Sequence, residues 1–344
     1  MHAAVVTGRE TVEMFEFPDP VPAPEGVVVD IAFCGICGTD VHAYQSGELS
    51  SPAICGHEWT GTVSAVGSDV SSVAEGDRVT VAVSAACGGC ATCRAGHSDH
   101  CEAVFAMMIG RDRLAPPHGG FAPRVAVAST RVMPVDPSLT DVEAAQVEPM
   151  TVTYHAVHRS HLRVGDLVVV QGAGPIGLGV VQFARAAGAG EVVVIEPDQH
   201  RRELALELGA DVGVAPGEAA ATAIGERSSG LGADIVFECV GRPAAVQSAV
   251  DLARRGGSMC LVGFAEGQAS ITPGVWLYKE IRTTASLAYV HDEFETTMGM
   301  MADGRVRAAP LHSSTVGLAV LGDAFADLAS GRTGQIKVLV DPSA

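Results

Sequence analysis

The stretch LVVVQGAGPIG, at residues 167–177, determines which fold we expect for the middle of the chain. It joins an apolar run to a glycine-rich turn of the pattern G-x-G-x-x-G, and an apolar, helix-forming segment follows. Further apolar runs at 192–196, 233–241 and 258–264 alternate with segments that favour helices. Strands that are apolar on both faces and separated by helices predict a parallel sheet covered on two sides. The sequence therefore predicts a doubly wound α/β fold for this part.

The three glycines of the turn have distinct physical roles in binding a dinucleotide. Gly172 permits a tight turn, Gly174 lets the backbone approach a pyrophosphate, and Gly177 allows the helix to pack closely on the strand. Pro175 suits the first helical turn, where no N–H partner is lost. The helix N-terminus then offers free N–H groups and a partial positive charge to the anion. The stretch predicts a dinucleotide site, the alternative being a glycine turn with a surface glutamate.

Glu196 ends the next apolar run, where the dinucleotide-binding pattern places an acidic residue. A carboxylate there accepts hydrogen bonds from both ribose hydroxyls of adenosine and repels a 2′-phosphate, which favours NAD over NADP. Arg201 and Arg202 stand close by in the sequence, and an arginine can hold a 2′-phosphate. The sequence therefore favours NAD without excluding NADP.

The composition of the 344-residue chain narrows the class of protein. Hydrophobic residues make up 47%, enough for buried cores, and the length suggests about two domains. The net charge of −18 repels phosphate backbones and anionic lipid, so we expect neither nucleic acid nor membrane as a partner. No stretch approaches the roughly 18 apolar residues of a spanning helix, and the N-terminus lacks a signal-peptide core. We therefore expect a soluble, cytoplasmic protein.

The two ends of the chain show a different pattern from the middle. Short β-rich runs between glycine and proline turns occupy residues 27–31, 61–66, 79–83 and 125–128. Their spacing predicts a compact antiparallel β domain. Beyond about residue 288, helical segments at 294–303 and 321–330 precede a strand at 336–340.

Four cysteines lie in one short segment, at Cys87, Cys90, Cys93 and Cys101. Four thiolates at this spacing can close a tetrahedron around Zn²⁺ and leave no open position, which predicts a structural zinc site. C-x-x-C spacing in a large chain without a secretion signal favours metal ligation over disulfides. The alternative is an iron–sulfur or redox function, whereas a nucleic-acid zinc ribbon needs basic surroundings that this segment lacks.

A second set of possible ligands is Cys37 together with His57 and Glu58. A thiolate, an imidazole and a carboxylate can form a zinc site that a substrate oxygen can enter. A cysteine and a histidine this far apart in sequence are usually packing residues, so ligand chemistry alone leaves both interpretations open.

Several short motifs follow one another along the chain in a fixed order. They are Cys-Gly-Thr-Asp-x-His at 37–42, Gly-His-Glu-x-x-Gly-x-Val-x-x-Val-Gly at 56–67, Gly-Asp-Arg-Val at 76–79, the four-cysteine segment, the glycine turn and Glu-Cys-Val-Gly at 238–241. This ordered set resembles the zinc-dependent alcohol dehydrogenases of the medium-chain dehydrogenase/reductase superfamily over essentially the whole chain. Gln-Val-Glu-Pro-Met at 146–150 is most similar to the sorbitol, threonine and butanediol dehydrogenase branch.

The resemblance implies a fold and an activity. The expected fold is a GroES-like β domain of residues 1–148 and 288–344 with a Rossmann domain at 149–287. The expected enzyme transfers a hydride between a secondary alcohol or polyol, or a ketone in reverse, and NAD(H), with one catalytic and one structural zinc per chain. L-threonine or a sugar or cyclitol as substrate, and a non-catalytic zinc- and nucleotide-binding role, are the alternatives. A homo-oligomer, tetramer or dimer, is expected.

The resemblance also implies roles for residues around the catalytic zinc. It places Cys37, His57, Glu58 and Glu148 around the ion. Glu148 is the fourth ligand or a water-bridged neighbour, and which of Glu58 and Glu148 binds directly stays open. Thr39 and His42 match a proton relay that runs from the substrate hydroxyl through the cofactor ribose, and Asp40 supports His57 from behind.

The same resemblance carries cofactor-binding roles to two sets of residues. The first set, around the glycine turn and the adenosine ribose, is Gly172, Gly174, Pro175, Ile176, Gly177, Glu196 and Arg201. The second set, on the nicotinamide side, is Val262, Gly263, Phe264, Ser286 and Leu287.

Overall fold

Two groups of chain segments make up the structure, a computed structural model that describes residues 1–47, 56–108, 119–265, 267–331 and 334–344. The first unit consists of Met1–Glu148, Val290–Ala302 and His312–Ala344. The second consists of Pro149–Tyr289 and Asp303–Leu311. The chain thus enters the second unit at residue 149, leaves it near residue 290 and returns to it for residues 303–311.

The first unit begins with short strands and helices. Its strands up to residue 134 are β1 (His2–Gly8), β2 (Thr11–Glu16), β3 (Gly26–Gly35), β4 (Glu58–Val66), β5 (Arg78–Val81), β6 (Arg124–Ala128) and β7 (Val132–Pro134). Its helices up to residue 144 are α1 (Gly38–Ser46), α2 (Ala91–Arg94), α3 (Glu102–Met108) and α4 (Asp141–Ala144). The β-rich runs predicted from sequence all lie in or overlap these strands, because valine and isoleucine pack well on a half-buried sheet face.

The second unit alternates strands and helices. Its strands are β8 (Leu167–Gln171), β9 (Glu191–Ile195), β10 (Val212–Val214), β11 (Ala233–Glu238), β12 (Ala253–Leu261) and β13 (Arg282–Ala285). Its helices are α5 (Val147–Arg159, which starts in the first unit), α6 (Pro175–Ala186), α7 (Gln199–Glu207), α8 (Glu218–Arg227), α9 (Pro243–Leu252) and α10 (Pro273–Lys279).

The strands of the second unit form one parallel sheet in the order β10-β9-β8-β11-β12-β13. The order reverses between β8 and β11, which is the position where doubly wound sheets bind ligands beyond the carboxyl ends of their strands. Residues 168–170 are completely buried, as expected for a strand covered on both faces. The predicted doubly wound α/β fold is confirmed.

The chain then returns to the first unit. The remaining elements are α11 (His291–Ala302), β14 (His312–Gly317), α12 (Leu321–Ser330) and β15 (Lys337–Asp341). The 3₁₀ turns are Ser98–His100, Ser129–Arg131, Ala309–Leu311 and Leu318–Val320.

The large sheet of the first unit has the order β14-β15-β3-β4-β5-β7, with β6 also paired to β3. Its pairs are antiparallel except β14 with β15, which run parallel. The strands up to residue 134, for which the sequence predicted an antiparallel domain, pair antiparallel, and the parallel pair β14 with β15 lies in the C-terminal segment. α12 connects these last two strands as a crossover and so returns the chain in the same direction.

The core of the first unit lies beside the sheet. Trp59, Phe121 and Phe325 are almost fully buried among valines of β3, β5 and β6. No helix in the part of the chain that the structure describes is long and apolar enough to cross a membrane.

Candidate metal centres and cofactor site

Cys37, His57 and Glu58 lie together in the first unit. Strands β3 and β4 pair antiparallel, with Gly35 opposite Glu58. The residues just after β3 and just before β4 are therefore neighbours in space, although they are far apart in sequence. One ligand atom from each of Cys37, His57 and Glu58 lies within 4.8 Å of the others. A soft thiolate, an imidazole and a carboxylate at this separation fit a zinc ion.

Asp40 fixes the backbone on both sides of this set. Its Oδ2 accepts a hydrogen bond from the backbone N–H of Cys37 at 2.9 Å, and its Oδ1 accepts one from Gly56 at 3.2 Å. The carboxylate is almost fully buried, and burial raises the pKa of Asp40 despite the opposing charge of His57. Asp40 thereby ties the start of α1 to the residue preceding His57.

The ring of His57 lies beside Asp40 without a hydrogen bond to it. His57 Nδ1 is 3.8 Å from Asp40 Oδ1 and is buried without a hydrogen-bond partner. The support of His57 by Asp40 is thus electrostatic in this geometry. Burial opposes protonation, but the nearby Cys37 sulfur and Asp40 carboxylate outweigh it, so the pKa of His57 is raised well above its ordinary value. The same groups would also stabilise the positive charge of a metal ion bound between them.

Lys337 is a functional neighbour that sequence reasoning missed. It begins β15, and its Nζ donates a hydrogen bond to Glu58 Oε2 at 2.6 Å and one to the carbonyl of Ile36 at 3.0 Å. Both side chains of the ion pair are buried, at 3% and 2% exposed. The attraction of Glu58 outweighs the cost of burial and raises the pKa of Lys337. The available signal was a single charged residue in the apolar run IKVLV.

Glycine is required where Glu58 turns towards Lys337. A Cβ placed on Gly35 would overlap the Glu58 carboxylate. Lys337 therefore holds one oxygen of Glu58, and only the other oxygen remains to face a metal ion. This geometry bears directly on the choice between Glu58 and Glu148 as a ligand.

The remaining residues predicted around the catalytic zinc lie on two helices. Glu148 is on the first turn of α5, half-buried, and close enough to His57 to contribute to its raised pKa. It is not a member of the mutually close ligand set among the described residues. Thr39 is exposed and His42 half-buried, three residues apart on α1, so they share one face of that helix.

The four-cysteine segment forms a separate cluster. One sulfur from each of Cys87, Cys90, Cys93 and Cys101 lies within 4.8 Å of the others. α2 carries Cys93, and its N-cap is Cys90, whose sulfur accepts a hydrogen bond from the backbone N–H of Cys93. The four ligands therefore come from one continuous stretch of chain. Four sulfurs within 4.8 Å of one another fit a closed tetrahedral zinc site.

Backbone N–H groups point at the sulfurs of this cluster and favour their thiolate forms. The N–H of Cys93 lowers the pKa of Cys90 to about 6. Burial raises the pKa of Cys101, but N–H groups of Cys87 and Val104 outweigh it and the pKa is lowered overall. Burial raises the pKa of Cys93 to about 12, together with its contacts to the other thiols. The polarised N–H groups are suited to anionic sulfur, the form that binds metal.

The glycine turn has the geometry predicted for it in the second unit. Gly172 has φ +92°, and its N–H donates to the carbonyl of Ile195 at 2.8 Å. A Cβ on Gly177 would overlap the carbonyl of Gly172, so the helix packs on the turn only because this residue is glycine. A Cβ on Gly174 would meet nothing within 4 Å, which leaves its backbone open to a ligand. Pro175 starts α6, with Ile176 beside it.

Glu196 directly follows β9 and is buried. Its Oε2 accepts a hydrogen bond from Ala173 N–H at 2.8 Å, and its Oε1 accepts one from Asp198 N–H at 3.0 Å. It thus joins the glycine turn to the start of α7. Arg202 donates to the carbonyl of Glu196, and Arg201 lies half-buried in the first turn of α7.

The residues predicted on the nicotinamide side follow β12 and β13. Val262 and Gly263 are half-buried and Phe264 is exposed, directly after β12. Ser286 follows β13 with its Oγ buried and without a hydrogen-bond partner, and Leu287 is exposed. These residues share the carboxyl edge of the sheet with the glycine turn.

Comparisons with known proteins show the family of the chain. Residues 23–137 match the model of the alcohol dehydrogenase GroES-like domain, and residues 175–303 match that of the zinc-binding dehydrogenase domain. The chain is 32% identical to 2-dehydro-3-deoxy-L-galactonate 5-dehydrogenase of Pseudoalteromonas atlantica, over 100% of this chain and 99% of that protein. It is 30% identical to sorbitol dehydrogenase of Halalkalibacterium halodurans, over 98% of this chain and 96% of that protein.

Two solved dehydrogenase structures are similar in fold to this chain. A dehydrogenase of the zinc-binding class from Sinorhizobium meliloti, bound to NADP, has a TM-score of 0.88 and 31% identity, with 99% of each chain covered. The 2R,3R-butanediol dehydrogenase from Bacillus subtilis has a TM-score of 0.85 and 29% identity, again with 99% of each chain covered.

The fold and the two ligand sets define a zinc-dependent oxidoreductase built from a GroES-like domain and a Rossmann domain. The chain belongs to the zinc-dependent alcohol dehydrogenases of the medium-chain dehydrogenase/reductase superfamily. The resemblance stated from sequence is confirmed, and with it the expectation of an alcohol dehydrogenase type of enzyme that depends on zinc and NAD(P).

Proposed function

We propose that this enzyme oxidises a secondary alcohol or polyol to the ketone, and reduces the ketone in reverse, with NAD(H) as preferred cofactor. The observation that carries the proposal is the meeting of Cys37, His57 and Glu58 within 4.8 Å. When bound, the zinc ion supplies a Lewis acid for the substrate oxygen, and the nicotinamide supplies the hydride acceptor.

Cys37 and His57 are the proposed protein ligands of the catalytic zinc, with a carboxylate completing the set. The ion pair of Glu58 with Lys337 favours Glu148 as the more available carboxylate, because one oxygen of Glu58 is already held at 2.6 Å. Asp40 is proposed to hold Cys37 and His57 in place through its hydrogen bonds to the backbone of residues 37 and 56. The second zinc is proposed to be structural and held by the cluster at 87–101.

Thr39 and His42 are proposed to move the substrate proton. The Thr39 hydroxyl is exposed on the first turn of α1, where it can accept the proton of a substrate hydroxyl. His42 lies on the same helix face, and an imidazole can receive a proton at one ring nitrogen and release one from the other. A bound cofactor would supply the ribose hydroxyl that the resemblance implies for this relay.

NAD is proposed over NADP because of the position of Glu196. Its buried carboxylate is fixed by two backbone N–H groups at the edge of the glycine turn, where it would meet the adenosine ribose. A negative charge fixed there repels a 2′-phosphate. The NADP of the Sinorhizobium structure is a property of that protein, and Arg201 offers the competing attraction for a phosphate here.

The proposed domain roles follow the resemblance. Residues 1–148 and 288–344 would form the catalytic zinc domain, and residues 149–287 the cofactor domain. The protein is proposed to act in the cytoplasm as a homo-oligomer, tetramer or dimer. Neutral polyols and diols are the first substrate class. Sugar acids are the second, because a relative that is 32% identical over the whole chain oxidises one.

The proposal is tested by zinc analysis together with a substrate panel. Purified protein is expected to hold two zinc ions per chain. It should form NADH from at least one of sorbitol, xylitol and 2,3-butanediol, faster than NADPH, with L-threonine and a sugar acid as comparison substrates. Removal of zinc by a chelator should abolish turnover. A protein that holds both zinc ions and NAD but converts no alcohol or ketone of the panel would contradict the proposal.

A further inference from the structure

A buried carboxyl group lies at the carboxyl edge of the Rossmann sheet and is not among the residues assigned to zinc or cofactor. Glu238 ends β11 and is 0% exposed. Its Oε1 accepts hydrogen bonds from the backbone N–H groups of Val240 at 2.8 Å and Gly241 at 2.9 Å. Its Oε2 is buried without a hydrogen-bond partner. A fully buried carboxyl with one unpaired oxygen is costly, so it is kept here for a local reason.

The backbone of the same residue holds a second loop. The Glu238 carbonyl accepts hydrogen bonds from Val262 N–H at 3.0 Å and Gly263 N–H at 2.8 Å. Glu238 therefore binds the loop after its own strand, at 239–241, through its side chain. It binds the loop after β12, at 262–264, through its main chain. We refer to these as the β11 loop and the β12 loop.

The two loops are packed so closely that only glycines fit between them. A Cβ on Gly263 would overlap the backbone nitrogen of Gly241 and would lie 3.0 Å from Glu238 Oε2. A Cβ on Gly241, which has φ +68°, would lie 2.7 Å from the carbonyl oxygen of Phe264. On the other side of the β11 loop, a Cβ on Gly172 would lie 3.1 Å from the carbonyl of Cys239. The glycine turn, the β11 loop and the β12 loop are thus stacked in contact.

We propose that Glu238 is a positioning residue that sets the place of the β12 loop by holding the β11 loop beneath it. This inference rests on the proposed function, which assigns the β12 loop to the nicotinamide half of the cofactor. Without the side chain, the N–H groups of residues 240 and 241 lose their acceptor, so the β11 loop on which Gly263 packs is no longer held in place, although the carbonyl of residue 238 still accepts from residues 262 and 263. The glycine turn keeps its own hydrogen bonds to residues 195 and 196, so the adenosine and pyrophosphate half is unaffected.

The proposed role rests on hydrogen-bond acceptance by the Glu238 side chain and on its shape. Burial raises the pKa of Glu238, against the opposing effect of the two N–H groups, which favours the neutral carboxyl form. Glutamine has the same shape and keeps one acceptor oxygen, so Glu238→Gln should preserve the loops. Glu238→Asp should not, because the shorter side chain withdraws the acceptor from residues 240 and 241.

The test compares two probes on the full-length, zinc-loaded protein. NADH carries the nicotinamide, and ADP-ribose carries the rest of the dinucleotide without it. For Glu238→Ala, the affinity for NADH should fall by about tenfold, as expected when buried N–H groups lose their acceptor, while ADP-ribose affinity changes less than about twofold. The fluorescence enhancement of bound NADH should fall as well. Glu238→Gln should keep both affinities within about twofold of the unchanged protein.

Asp234 provides a matched control at the opposite end of the same strand. Its Oδ2 accepts the N–H of Leu167 at 2.8 Å, and its Oδ1 accepts from Arg254 Nε. Asp234→Ala removes a carboxylate that also holds backbone, so it should lower stability but leave the NADH to ADP-ribose ratio unchanged.

The outcomes separate this inference from the proposed function. Equal loss of both affinities in Glu238→Ala, the same ratio change in Asp234→Ala, or a Glu238→Gln variant as weak as Glu238→Ala would overturn the positioning role. Should Glu238→Ala fail to fold, Glu238→Asp carries the same comparison with the same expected shift. If the protein without substitutions binds ADP-ribose at least as tightly as it binds NADH, the assignment of the β12 loop to the nicotinamide is overturned instead.

Discussion

The four-cysteine cluster and the site around Cys37 both bring together side chains that suit zinc, but they are built in opposite ways. The cluster draws all its ligands from residues 87–101, and backbone N–H groups of residues 87–104 polarise the sulfurs of Cys90 and Cys101. The other site draws on the ends of β3 and β4, the start of α1 and the first residue of β15. Its ion pair joins residues 279 positions apart in sequence. A local site depends on a short motif, and a distributed site depends on the fold.

The largest expected effect is loss of catalysis when the distributed site loses its thiolate. Cys37→Ala should lower kcat by about 1,000-fold, because a Lewis acid is worth several kcal/mol and each 1.36 kcal/mol is tenfold in rate. Zinc content should fall from two to one per chain. Cys34→Ala, three residues earlier in the buried core, is the matched control and should keep both ions. Two ions retained in Cys37→Ala would show that this residue is no ligand.

The second-largest expected effect is a loss of stability when the ion pair between Lys337 and Glu58 is broken. Lys337→Met leaves Glu58 charged and buried, so the free energy of unfolding, measured by urea titration, should fall by about 3–5 kcal/mol. The double variant Lys337→Met with Glu58→Gln should recover much of this loss, because no uncompensated charge remains. A double variant as unstable as the single one would show that the pair is not the source of the effect.

The local site should respond differently to loss of one ligand. Cys90→Ser should remove one zinc and lower the thermal midpoint by roughly 5–10 °C, since a few kcal/mol moves the midpoint of a domain this size by that amount. The kcat of the folded fraction should stay within about threefold, in contrast to Cys37→Ala. A loss of turnover as large as that of Cys37→Ala would show that the two sites do not differ in function.

The smallest effect is a difference in thiol reactivity within the cluster. In zinc-free protein, alkylation of Cys90 by iodoacetamide should rise with pH through about 6 and then level off, because the thiolate is the nucleophile and its pKa is about 6. Cys93, with a pKa of about 12, should stay unreactive at neutral pH. Peptide mapping measures both rates, and reloading with zinc should protect both residues. Equal reaction at the two positions would contradict the polarisation by backbone N–H groups.

The same contrast explains what the sequence could predict. The parallel sheet, the glycine turn and the cysteine cluster follow from periodicity and spacing within short windows. Ligand chemistry left Cys37 and His57 undecided, because it is the register of β3 against β4 that brings them together. Lys337 was missed for the same reason, and so were the contacts of Glu238, which the sequence showed only as part of the Glu-Cys-Val-Gly motif. Each is one polar residue at the end of an apolar strand, and its partners are set by strand order.

Anomalous X-ray scattering at the zinc edge, from crystals of the zinc-loaded protein, tests the central claim most directly. Two peaks per chain are expected. One should lie about 2.3 Å from the sulfur of Cys37 and 2.0–2.1 Å from a ring nitrogen of His57, and the other among the four sulfurs of the cluster. A single peak at the cluster, with Cys37 and His57 free of metal, would contradict the account.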